Sequence, residues 1–151
     1  MMSPDDRWSD PKVAEQILRS YRVWAIVGVS PHPWRASFGV SRYLLGQGYG
    51  IVPINPNVEV IHGKQAYPDL LSVPADRRGQ IEVIDLFRRS DLVLPHVEEA
   101  IAIGAKAVWM QLDVWNEDAA LLAEEAGLLV VMNRCPAIDH PAMIGAGNSD
   151  V

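Results

Sequence analysis

The chain has a single cysteine, Cys135, in 151 residues. One thiol excludes an intrachain disulfide and any zinc cluster built on paired cysteines. Its four histidines, His32, His62, His96 and His140, include no pair at metal-ligand spacing, with each other or with the cysteine. Basic residues are scarce: 13 Lys and Arg stand against 19 Asp and Glu, a net charge of −6. That balance argues against a broad nucleic-acid or anionic-membrane surface. A phosphorylated ligand would need a local basic patch. No apolar run approaches the ~20 residues of a membrane span. Residues 1–10 are polar and acidic, unlike a signal peptide, so a cytoplasmic location is expected. A G-x-S-x-G nucleophile elbow is missing too, and His140 after Asp139 makes no triad without one. No catalytic constellation and no metal site is read.

What is present is alternation. With 49% apolar and 21% charged residues, the composition is that of a globular domain, and the whole chain reads as one domain. Residues 1–9 read as a loose arm. Asp10 can cap a helix with Pro11 at its first position, where a missing N–H costs nothing. Short apolar strands follow at 22–27, 50–54, 81–86, 106–111 and 128–132. Helices are expected at 38–47, 90–103 and 117–126, the last two opened by Ser90 and Asn116 as caps. Residues 57–80 and the tail 136–151 read as irregular. Buried strands alternating with amphipathic helices imply a Rossmann-like, doubly wound α/β fold. Its five parallel strands should lie between helical layers, with right-handed crossovers and the order 3-2-1-4-5. Ligands of such sheets sit beyond the strand C-termini at the topological switch point. That directs attention to the residues after each strand.

After strand 1 come Gly28, Ser30, Arg35, Ser37 and Gly39. A nicotinamide loop would read G-x-G-x-x-G; here Ser30 takes the second glycine's place and the loop is longer. Hydroxyls and a guanidinium can share phosphate binding with the helix N-terminus, although an ordinary capped loop fits the same residues. After strand 2 stands Asn55-Pro56-Asn57, with no carboxylate for a ribose diol. Pro56 offers a flat face for adenine; a plain turn is the alternative. After strand 3, Phe87-Arg88-Arg89 gathers positive charge; one arginine can face a phosphate while the other is solvated. Gln111 after strand 4 can bond an amide or an adenine edge. After strand 5, Arg134 is a second candidate phosphate partner, and Cys135 is either a thiol at the ligand mouth or a small buried hydrophobe.

These pieces, in this order and spacing, resemble the small stand-alone CoA-binding proteins. They are a Rossmann-like family akin to the CoA-binding domain of the succinyl-CoA synthetase α subunit. The matching segments run from about Tyr21 to His140. They include Ile26-Val27-Gly28-Val29-Ser30, Arg35-Ala36-Ser37-Phe38-Gly39-Val40, Pro53-Ile54-Asn55-Pro56, Gly63-Lys64, Asp85-Leu86-Phe87-Arg88-Arg89 and Val130-Val131-Met132-Asn133-Arg134-Cys135. The resemblance implies coenzyme A, or an acyl-CoA, as the small-molecule partner. Gly28, Ser30, Arg35 and Ser37 would hold its diphosphate, Asn55 and Pro56 would border the adenosine, and Phe87 and Arg88 would lie near the nucleotide. Asn57 stands where the family often has lysine, with Lys64 the expected substitute, and Asp113 where it often has glycine. Binding without catalysis is the expected activity. An NAD(P)-dependent oxidoreductase, or a redox module forming a mixed disulfide between CoA and Cys135, are the alternatives. A homodimer is possible, and no protein partner is implied.

Overall fold

The computed structural model describes residues 7–145. Helix α1 (Pro11–Ser20) begins where the sequence places it: the Asp10 carboxylate accepts the Lys12 N–H at 2.8 Å, with Pro11 in the first turn. Strand β1 (Val23–Val27) leads through a loop into α2 (Ala36–Gly46), and β2 (Gly50–Ile54) follows. The stretch expected to be irregular contains a small antiparallel hairpin, β3 (Val60–Ile61) with β4 (Lys64–Gln65), and a short helix α3 (Ala75–Arg78). Then come β5 (Val83–Leu86), α4 (Leu94–Ala102), β6 (Ala107–Met110), α5 (Glu117–Glu125), β7 (Leu129–Val131) and α6 (Pro136–Met143). Asn116 caps α5 as expected, accepting the Ala119 N–H at 2.9 Å. Ser90 does not cap α4. Its hydroxyl accepts the Trp115 N–H at 2.8 Å and ties the β5 and β6 exits together.

The main sheet has five parallel strands with helices on both faces, the doubly wound class the alternation implies. Its order is β2-β1-β5-β6-β7. The expected order 3-2-1-4-5 differs here: the sheet's third strand, β5, lies between the first and fourth instead of outside the second. The reason is Pro53. Proline has no N–H to give a ladder and is confined to edge strands. Among the described residues, the outward side of β2 receives only one crossing, where the Tyr67 N–H bonds the Pro53 carbonyl at 3.0 Å and the Asn55 N–H bonds the Tyr67 carbonyl at 2.9 Å. With β2 at the edge, β5 pairs with the free side of β1. The switch point is thus β1/β5.

Successive strand residues face opposite layers. Ala25, Val27, Ile84, Leu86, Val108 and Met110 pack under α4 and α5. Trp24, Ile26, Val83, Ala107 and Trp109 pack under α1 and α2, where Trp24 and Trp109 meet with ring centroids 5.5 Å apart. Both ends of the described chain differ from expectation. Trp8 is 3% exposed, and its carbonyl accepts the Met132 N–H at 2.8 Å on the outer edge of β7, so residues 7–9 are docked rather than loose. The part of the tail at Pro136–Met143 is helical; Pro136 takes a helix-opening position. The remaining termini of the expected arm and tail, 1–6 and 146–151, lie outside the described residues.

Candidate functional site

Gly28 ends β1 with φ +84, and a Cβ there would sit 2.8 Å from the Phe87 carbonyl oxygen and 3.1 Å from the Arg88 Cγ. Only glycine fits this junction: the torsion is left-handed and β5 leaves no space for a side chain. Beyond it the loop is pinned by hydroxyls. The Ser30 N–H donates to the Ser37 Oγ at 2.9 Å, and the His32 N–H donates to the Ser30 Oγ at 3.1 Å. Both hydroxyl oxygens accept in these bonds, which fix the loop, and each keeps its O–H as a donor; Ser37 is buried.

Helix α2 opens here without a side-chain cap; Arg35 occupies the N-cap position. Gly39 is the first to close the helical ladder, its N–H reaching the Arg35 carbonyl at 3.3 Å. The N–H groups of Ala36, Ser37 and Phe38 are left without intrahelical acceptors at the positive end of the helix dipole. The helix opens beside a cleft of 630 Å³ lined by Gly28, Ser30, Arg35, Ala36, Ser37, Asn55 and Phe87, with His32, Asn57 and Val58 beside them. A second, 210 Å³ groove shares Gly28, Asn55 and Asn57 and adds Pro56, Pro68, Arg88 and His96. No carboxylate lines either hollow. In a chain of net charge −6, this rim is a locally cationic, donor-rich patch suited to an anion.

Eight residues singled out from sequence therefore meet at one rim: Gly28, Ser30, Arg35, Ser37, Asn55, Pro56, Phe87 and Arg88. Asn55 acts partly as a brace. Its Nδ2 donates to the Val29 carbonyl at 2.8 Å, and its Oδ1 accepts the Asn57 N–H at 2.8 Å, locking the β1 and β2 exits together. Lys64 is not brought in; it is exposed on β4 and lines neither hollow. Gln111 is not brought in either. With β5 inserted beside β1, the end of β6 stands one strand further from Gly28, and Gln111 is 6% exposed with its Oε1 unpartnered.

The other strand-end candidates have structural duties. Arg134 is no phosphate partner: its Nε and Nη2 bond Asp139 at 2.7 and 2.9 Å, and its Nη1 bonds the Ser9 carbonyl at 2.9 Å. Cys135 is 7% exposed, and burial pushes its thiol pKa up, against the thiolate. Asp113 takes φ +67, a conformation glycine adopts freely, while its N–H donates to the Asn133 Oδ1 at 2.8 Å. Among the described residues no group of three or more His, Cys, Asp or Glu could hold a metal ion.

Residues that sequence reading did not select also reach the rim. His32 lines the cleft and stacks on Trp34, with ring centroids 4.7 Å apart and 13° between planes; Trp34 is 77% exposed. Their place in the strand 1 loop was the available signal. His96 lines the groove from the first turn of α4. The expected helix over 90–103 put it near the rim, but its approach to Arg88 depends on how α4 packs.

A family model described as CoA binding domain matches residues 22–141. The Bacillus subtilis (strain 168) uncharacterized protein YneT is 33% identical over 132 residues, covering 87% of this chain and 94% of that protein. A solved hypothetical protein from Pyrococcus horikoshii OT3 is 40% identical, with a TM-score of 0.83 over 90% of this chain and 93% of that one. A dinucleotide-forming acetyl-coenzyme A synthetase 1 from Ca. Korarchaeum cryptofilum, solved with phosphate and ADP, is 23% identical with a TM-score of 0.64. That likeness spans 79% of this chain and 28% of the synthetase chain, and it shows the fold alone.

Proposed function

This chain belongs to the CoA binding domain family, and from that premise we propose that it binds coenzyme A or an acyl-CoA at the rim of β1, β2 and β5 without transforming it. The observation that carries the reading is the uncapped N-terminus of α2, with three unshared N–H groups and Arg35 beside a 630 Å³ cleft free of carboxylates. The diphosphate is assigned to those N–H groups and to Arg35. The Gly28 junction admits a ligand close to the backbone, and Pro56 supplies a flat wall for the adenosine.

The alternatives fare less well on the same geometry. A nicotinamide dinucleotide would call for an acid at the end of β2, where Asn55 is instead committed to the Val29 carbonyl. A mixed disulfide through Cys135 needs an accessible thiolate, and this thiol is buried with a raised pKa.

Calorimetry with coenzyme A, NAD and ATP tests the reading. Coenzyme A is expected to bind well ahead of the other two. Arg35→Ala should weaken it about tenfold, the worth of one exposed charge-assisted hydrogen bond. Equal affinity for NAD and coenzyme A would refute the assignment.

A further inference from the structure

The two adjacent arginines after β5 are held differently. Arg89 lines neither hollow and is paired with Asp91, Nη2 to Oδ2 at 2.8 Å, on the open surface. Arg88 instead lines the 210 Å³ groove. Its Nη1 lies 3.2 Å from the Nε2 of His96, and the His96 Nδ1 lies 3.4 Å from the Glu99 Oε1. A guanidinium has only donors, so Nε2 must accept. That places the imidazole proton on Nδ1, facing the Glu99 carboxylate. Glu99 and His96 are well shielded, with side chains 19% and 14% exposed. Two residues on α4 thus fix the head of a flexible side chain at the groove mouth, which removes much of the rotamer entropy that an exposed arginine would lose on binding.

The rim therefore offers two anion centres, in adjoining hollows that share Gly28, Asn55 and Asn57. The α2 N-terminus and Arg35 serve the larger cleft; Arg88 serves the smaller groove, whose other walls include the flat rings of Pro56 and Pro68. A nucleotide carrying only a diphosphate would use one centre. We propose that Arg88, held by His96 and Glu99, reads a phosphate monoester on the ligand's ribose, apart from the diphosphate. Arg88 is the contact residue; His96 and Glu99 are positioning residues. The inference rests on the coenzyme A reading, since coenzyme A carries such a monoester at its ribose 3′ position.

The test compares coenzyme A with dephospho-CoA, which differs only by that phosphate. Calorimetry on the wild-type chain should give a preference for coenzyme A of about tenfold or more. In Arg88→Ala the preference should collapse towards unity, with dephospho-CoA affinity little changed. In His96→Leu it should fall severalfold, and His96→Gln, whose amide oxygen can accept from Arg88, should recover most of it. A merely structural role for His96 would lower both affinities together. Retention of the full preference in Arg88→Ala, or no preference in the wild type, overturns the proposal. An unchanged preference in His96→Leu removes the positioning role. Binding of neither ligand by the wild type defeats the coenzyme A reading itself, and this inference with it.

Discussion

Asp85→Asn should remove a pH dependence of stability that the wild-type protein carries. Asp85 sits in the middle of the sheet, opposite Ile26 of β1 and Trp109 of β6. It is 0% exposed, and neither carboxylate oxygen has a hydrogen-bond partner. An ionised carboxylate there would be desolvated with nothing to offset the cost, so burial drives its pKa well above the ordinary 3.8. The native chain therefore keeps a proton that the unfolded chain releases. For an acid with a raised folded-state pKa, stability is fully present below the unfolded pKa and declines as pH rises towards the folded one. Between the unfolded and the folded pKa the decline approaches about 1.4 kcal/mol per pH unit. Asparagine is nearly isosteric and does not titrate. Urea denaturation of both proteins from pH 5 upward should show the variant gaining on the wild type, by up to that slope. His62 and His140, whose pKa values burial lowers, are common to both proteins and cancel in the difference. Parallel stability profiles for the two proteins would refute the reasoning.

Two substitutions separate stability from binding. Gly28→Ala places a methyl 2.8 Å from the Phe87 carbonyl oxygen at φ +84; a loss of about 1–3 kcal/mol in denaturation, together with weakened ligand binding, is expected. Arg134→Met leaves Asp139, 6% exposed, without its bidentate partner. It should cost about 3 kcal/mol in denaturant unfolding while leaving the calorimetric affinity for coenzyme A unchanged, because Arg134 lines neither hollow at the rim.

Much of the site was legible because it follows from local rules. A strand ending in glycine, a loop of serines and prolines and the start of a helix place donors together within a dozen residues, whatever the remaining packing. Asn55 and Pro56 could be found in the same way, as the first residues past a strand. Lys64 and Gln111 could not be judged locally. Each has suitable chemistry and lies near an expected strand end, but whether it meets Gly28 depends on which strands are neighbours. The Arg134–Asp139 pair was hidden for a different reason. An arginine past a strand looks the same in sequence whether its partner is a ligand or a carboxylate one helical turn later.

By itself, the amino-acid order determined the alternation of strands and helices, the parallel α/β class and the phosphate-suited turn after β1, because periodicity, glycine and helix ends act over a few residues. Tertiary structure decided the sheet order, the commitment of Arg88 to a groove and Arg89 to solvent, and the isolation of Asp85. Those depend on which strand lies beside which and on what a helix shields, contacts between residues far apart in the chain. Pro53 is the residue where the two meet: its missing N–H is written in the sequence, and it took the folded sheet to show that β2 lies at the edge because of it.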